Sequence, residues 1–147
     1  MSDCKSAWVS KCIKSSPTHW GATKTWKGFQ GSKVKMINMK SGQRTSFKYN
    51  MLKDELLVCT SGKIKAYYGD QDMLTIGVGE LEIKTLYPGM ALCVQSECPY
   101  RLEAIEDAVV VEVSKGPDSV IRLHDDYGRE TKEHSEFITL LIERTWE

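Results

Sequence analysis

The 147-residue sequence has no apolar run approaching the roughly 18 residues of a membrane-spanning helix, so no membrane partner is expected. It has no long Pro-, Ser- or Gly-rich stretch and no repeat of fixed period, which excludes a linker-joined array. Histidine is scarce, at His19, His124 and His134. Cysteine occurs five times, at Cys4, Cys12, Cys59, Cys93 and Cys98, an odd number with no Cys-x-x-Cys pair. Cys93 and Cys98 are the nearest pair, and no His lies near them, so neither a disulfide framework nor a zinc knuckle fits. The first residues, Met1 to Lys5, lack an apolar signal region. Reduced thiols and no leader together give the expectation of a cytoplasmic protein.

What is present is the mix of a globular protein, 41% hydrophobic and 27% charged. The length is that of one domain, long enough to bury about two-thirds of its unfolded surface. The net charge is zero but unevenly laid out. Residues 1–48 carry ten Lys/Arg and one acid, a net +9; residues 49–147 carry ten Lys/Arg and nineteen acids, a net −9. Either the two parts lie against each other in a fold or a dimer, or the basic part makes a local field for an anion such as a sugar phosphate. The basic residues are spread out and not interleaved with aromatics, so a nucleic-acid partner is not expected.

Residues 1–32 are polar and punctuated, and read as an arm with at most one strand. From residue 33 to 123, short apolar or alternating runs are separated by Ser41-Gly42, Ser61-Gly62, Gly69-Asp70, Pro88-Gly89, Pro99 and Gly116-Pro117. Ile64, Ala66 and Tyr68 share one face of their run, as do Tyr100, Leu102 and Ala104 of theirs. Runs of about six residues with breaks every eight to twelve predict an all-β sandwich or barrel, with residues 73–78 among the strands. In the closing segment, 124–147, Phe137, Ile138, Leu141 and Ile142 fit helical spacing, though an edge strand also suits them. This tail must bury its apolar face on its own barrel or on a second subunit.

Four stretches point to something narrower: His19-Trp20-Gly21, Lys33-Val34-Lys35, the spacings Gly42 to Gly62 and Gly89 to Ala104, and Arg122-Leu-His-Asp-Asp-Tyr-Gly-Arg129. Together they resemble the cupin domain of type II mannose-6-phosphate isomerases, often fused to a GDP-mannose pyrophosphorylase. The resemblance implies one cupin domain over residues 1–147, a double-stranded β-barrel (jelly roll), usually a homodimer, with a central pocket. It also implies a divalent metal held by Gln, His, His and Glu of a first motif and a His of a second.

At those positions this sequence differs. Counted from Gly42, the Gln position is Lys48, the two His positions are Asn50 and Leu52, and the Glu position is Glu55. Counted from Gly89, the second-motif His position is Tyr100. Leu52 cannot coordinate, and Lys48 puts an ammonium where a cation would sit, so no metal and no other cofactor is expected. Lys48 and Asn50, two apart on a strand, point the same way. A Lys48–Glu55 pair would keep the surviving carboxylate from being buried alone.

The leading expectation is therefore a barrel that binds a small molecule, a sugar, sugar phosphate or nucleotide sugar, through Lys35, Lys48, Asn50, Glu55, Tyr100 and Arg122 without metal catalysis. One alternative is a metal-independent sugar isomerase or epimerase using Lys48, Glu55 and Tyr100 as acid–base groups. Another is a structural dimerisation module in which the same residues only plug the barrel. Ser41-Gly42-Gln43 and Gly77-Val78-Gly79 are too short for phosphate loops and read as turns. Trp8, Trp20, Trp26 and Trp146 read as core or contact residues. Arg122, Asp125, Asp126, Tyr127 and Arg129 either close the fold by pairing charges or line the pocket mouth.

Overall fold

The computed structural model describes residues 4–147. Eleven strands form two antiparallel sheets packed face to face. The first sheet is made of β1 (Lys14–Thr18), β2 (Gly21–Lys27), β3 (Ser32–Met39), β5 (Asp54–Ser61), β8 (Ala91–Val94) and β10 (Ala108–Lys115), in the order β1-β2-β3-β10-β5-β8. The second contains β4 (Phe47–Asn50), β6 (Ile64–Tyr68), β7 (Glu82–Leu86), β9 (Tyr100–Ala104) and β11 (Val120–His124), in the order β11-β4-β9-β6-β7. Neighbours that are distant in sequence, such as β3 beside β10 and β4 beside β9, make this a jelly roll rather than a meander.

The period-two pattern decides what lies between the sheets. Ile37, Met39, Leu57, Cys59, Val110, Leu92 and Val94 point inward from the first sheet; Ile64, Ala66, Tyr100, Leu102 and Ala104 meet them from the second. Strand β4 is buried on both faces. Phe47 and Tyr49 turn outward into a second cluster with Leu123, Met73 and the terminal helix α2 (Glu136–Trp146), which leaves Lys48 and Asn50 facing the interior.

The tail is a helix and covers its own barrel. Ser135 caps it, its Oγ accepting from the Ile138 amide at 3.3 Å, and Glu136 and Arg144 sit at the ends their charges favour. Ile138, Leu141 and Ile142 are buried against the second sheet, each contributing about 1.5–3 kcal/mol of burial.

Two sequence expectations differ from the structure. The segment expected to be an arm supplies β1 and β2, and β2 pairs with β3 from Gly21↔Met39 to Lys27↔Lys33. Polar inward residues such as Thr23 and Thr25 hide its alternation. The run 73–78 contains no strand. It opens with α1 (Asp72–Thr75), one helical turn that buries Met73 under the second sheet.

Candidate functional site

Between the sheets lies a cavity of about 320 Å³. All six side chains expected at the site line it: Lys35 on β3, Lys48 and Asn50 on β4, Glu55 on β5, Tyr100 on β9 and Arg122 on β11. They come from both sheets, which is why sequence distance does not separate them in space.

Glu55 is the centre of a hydrogen-bond network. Its Oε1 accepts from Asn50 Nδ2 at 2.7 Å and from the Tyr100 hydroxyl at 2.8 Å. These donors satisfy a carboxylate that is only 6% exposed. Burial pushes the Glu55 pKa up, but the hydrogen bonds from Glu112 and Tyr100 and the charges of Lys53 and Lys48 outweigh it, and the net shift is downward. Tyr100 is shifted the other way, well above its ordinary range, by burial and then by the Glu55 charge. It is therefore a hydrogen-bond donor to Glu55, not a base.

The expected Lys48–Glu55 ion pair is not formed. Lys48 Nζ lies over the Tyr100 ring, 4.8 Å from its centroid. The cation beside Glu55 is Lys53, 7% exposed, with Nζ 3.8 Å from Glu55 Oε2, 3.9 Å from Glu112 Oε2 and 3.5 Å from Asp118 Oδ1. Leu52 also departs from expectation: it is 64% exposed and does not line the cavity. Strand β4 ends at Asn50, and the Met51-Leu52 turn breaks the alternation on which the count from Gly42 relies.

Glu112 is a site residue that the motif spacing does not reach. It sits in Val-Val-Val-Glu-Val-Ser on β10, opposite Lys35 in the β3 register, and is 5% exposed. Burial raises its pKa to about 7, and the hydrogen bond and charge of Glu55 push the same way; Lys35 and Lys53 oppose. The two buried carboxyls titrate together, and the proton is held more tightly on Glu112, because Glu55 has the donors. A signal for it is present in the sequence: Val110, Glu112 and Ser114 alternate on one face, so the acid points inward.

Lys48 and Arg122 stand opposite each other in the β4–β11 register. Among the described residues, neither makes an ion pair or a side-chain hydrogen bond, and Arg122 Nε is buried without a hydrogen-bond partner there. Burial lowers Lys48 to about 8, against the raising charges of Glu55 and Glu112. Arg129, which also reaches the cavity, is held by Asp125 at 2.8 Å. The rest of the closing motif is structural: Asp126 binds Arg44 and approaches Arg101 at 3.5 Å, and the Tyr127 hydroxyl donates to the Arg44 carbonyl at 2.7 Å.

The cavity residues do not suit a divalent metal. The positions at which the resemblance places ligands hold an ammonium, an amide, a phenol, an aliphatic side chain that lies outside the cavity, and one carboxylate already bound by two donors. The three histidines lie elsewhere: His19 stacks on Tyr127, His124 on Trp146, and His134 contacts Thr139. Among the described residues, no group of three or more His, Cys, Asp or Glu side chains is arranged to hold a metal ion.

No family model matches the chain, and no curated protein matches it. Solved structures do. The capsular polysaccharide assembling protein CapF of Staphylococcus aureus superposes with a TM-score of 0.65 at 12% identity, covering 80% of this chain and 32% of CapF. A single-site variant of the B. subtilis oxalate decarboxylase gives 0.65 at 14% identity, covering 80% and 34%. KdgF from Halomonas sp. gives 0.55 at 14% identity, covering 65% and 78%. The fold is a cupin barrel. This chain spans about a third of the CapF and oxalate decarboxylase chains, and at such identities the likeness is one of fold. Among the described residues, no helix of this cupin barrel is long and apolar enough to cross a membrane.

Proposed function

We propose that the barrel cavity binds a small anionic ligand, a sugar or sugar phosphate, without a metal. The observation that carries this is the Lys48–Arg122 register pair. Two like charges facing each other across a ladder repel, and among the described residues no carboxylate lies within ion-pair distance of either, although the charges of Glu55 and Glu112 act on Lys48 and that of Asp125 on Arg122 from further away. An anion between them turns that repulsion into charge-assisted hydrogen bonds. Lys35 lies on the facing sheet and adds to the field. Glu55, Asn50 and Ser46 offer polar partners for hydroxyl groups at the same cavity. A volume of about 320 Å³ lies at the lower end of the roughly 300–1,000 Å³ usual for small-molecule sites. Two neighbours are consistent with this: CapF is named for capsular polysaccharide assembly and oxalate decarboxylase for a small anion.

A thermal-shift screen of the metal-free protein with hexose phosphates and nucleotide sugars tests the reading. Stabilisation by phosphorylated sugars that is lost in Lys48→Ala supports it. No shift with any of them at millimolar concentration returns the quartet to a structural plug.

A metal-independent isomerase or epimerase is the second reading, and one observation favours it. Glu112, raised to about 7 beside Glu55, is a proton donor and acceptor poised near neutrality. Turnover that falls at least about a hundredfold in Glu112→Gln while ligand binding persists would select this reading over simple binding.

A further inference from the structure

Three lysines line the cavity, and their neighbours differ. Lys35 stands opposite Glu112 in the β3–β10 register. Lys53 Nζ lies 3.8 Å from Glu55, 3.9 Å from Glu112 and 3.5 Å from Asp118. Each of these two has a carboxyl to answer its charge. Lys48 instead has Arg122 and Tyr100 as register partners, and among the described residues it forms no ion pair. It is partly exposed on a strand otherwise buried, and it lines the cavity. Val120 and Asp118, which line the same cavity, are exposed, so a small molecule has a way in.

A lysine amine attacks carbon only without its proton, and desolvation and a neighbouring like charge both favour losing it. Both act on Lys48. Burial is the larger influence, Arg122 and Lys35 add to it, Glu55 and Glu112 oppose, and the balance is about 8. Roughly a tenth of Lys48 is then free amine at pH 7, against less than about a thousandth of an ordinary lysine.

We propose that Lys48 is a nucleophile that condenses with a small aldehyde or ketone bearing an anionic group, forming an imine inside the barrel. This rests on reading the cavity as an anion site: Arg122 holds the anionic group while its charge disfavours the ammonium beside it. Toward a ligand without a carbonyl group, Lys48 remains the ammonium of that site. In the condensation the amine lone pair attacks the carbonyl carbon, the carbonyl oxygen gains a proton and the nitrogen loses one, giving a carbinolamine. The C–O bond then breaks as the C=N bond forms. The carbonyl oxygen and the two amine hydrogens leave as water, so no oxidant or reductant is consumed. Glu112 lines the same cavity, titrates near neutrality, and passes these protons between nitrogen and oxygen.

Reductive trapping tests this. The protein is incubated with cyanoborohydride and either glyoxylate, an anionic aldehyde, or propionaldehyde, a neutral one, and the adducts are mapped by mass spectrometry. With glyoxylate, Lys48 is expected to be labelled at least about tenfold faster than Lys35, Lys53 and the exposed Lys11, Lys24 and Lys40. With propionaldehyde this preference is expected to shrink severalfold. Labelling of Lys48 no faster than of the exposed lysines overturns the proposal, as does a preference equal for the two aldehydes. Thermal shifts with a hexose phosphate separate this proposal from the reading beneath it. Stabilisation without a Lys48 adduct overturns the imine and leaves the binding reading standing. A glyoxylate-selective Lys48 adduct in protein that no hexose phosphate stabilises upholds the imine and removes the sugar phosphate.

Discussion

Lys48 and Arg122 are register partners across β4 and β11, and among the described residues neither forms an ion pair. Removing one charge should therefore affect stability and binding in opposite directions. Lys48→Met is expected to leave the melting temperature unchanged or raised, because it relieves repulsion and a buried charge. The same variant should lose about ten- to a hundredfold in affinity for a hexose phosphate, the worth of one charge-assisted hydrogen bond. Calorimetric titration and thermal melts on the same samples check both arms.

Anion affinity should weaken as Lys48 loses its proton. With the ammonium lowered to about 8, the bound anion is expected to be held firmly at pH 7 and progressively less from pH 8 upward. Titrations with a permanently charged sulfonate across that window check this, since the probe itself does not titrate.

Lys53 is the structural cation of the site, close to three carboxylates. Lys53→Met leaves Glu55 and Glu112 without it and is expected to cost about 3–5 kcal/mol. Tyr100→Phe removes one donor from a buried carboxylate and should cost about 1.5–3 kcal/mol. Denaturant unfolding gives both values.

Glu112 makes stability depend on pH in a direction unusual for a carboxyl. Its pKa is raised from 4.5 to about 7 on folding, so the native state holds its proton more tightly than the unfolded chain. That contribution is fully present below pH 4.5 and is lost as pH rises through about 7. It amounts to about 3 kcal/mol across the interval. Glu55 acts oppositely, but with its pKa lowered its effect falls below pH 4.5. Denaturant unfolding between pH 4.5 and 7.5 should show stability declining with pH, and Glu112→Gln should flatten the slope.

Two turn glycines separate backbone strain from steric overlap. Gly42 and Gly62 have φ of 81° and 76°, but a Cβ on Gly42 meets nothing within 4 Å, whereas on Gly62 it would sit 2.2 Å from the Asp107 carbonyl oxygen. Gly42→Ala should cost about 1 kcal/mol. Gly62→Ala should cost at least about 2 kcal/mol more, because backbone must move.

Much of the site is legible in the sequence because a β-strand converts sequence parity into direction. Lys48 and Asn50 have to point together, and Glu55, Tyr100, Lys35 and Arg122 fall at the same cavity once the barrel is read from its turns. Parity fails at turns, which is why the spacing puts Leu52 inside and passes over Lys53, its neighbour. Glu112 is hidden differently. Within a valine-rich run it looks like the solvent side of an apolar strand, yet on β10 the valines at 109, 111 and 113 face outward and the acid faces in. The ion pairing also escapes, since charge choice among Lys48, Lys53 and two glutamates is set by distances that no spacing encodes.

The central claim is that the cavity grips an anion with ammonium and guanidinium groups instead of a metal. The most direct measurement is calorimetric titration of a hexose phosphate into protein stripped with chelator, repeated with manganese added and with Lys48→Met/Arg122→Met. The account predicts the same affinity with and without manganese, and no measurable binding in the double variant. Binding that appears only with the metal, or that survives loss of both cations, would contradict it.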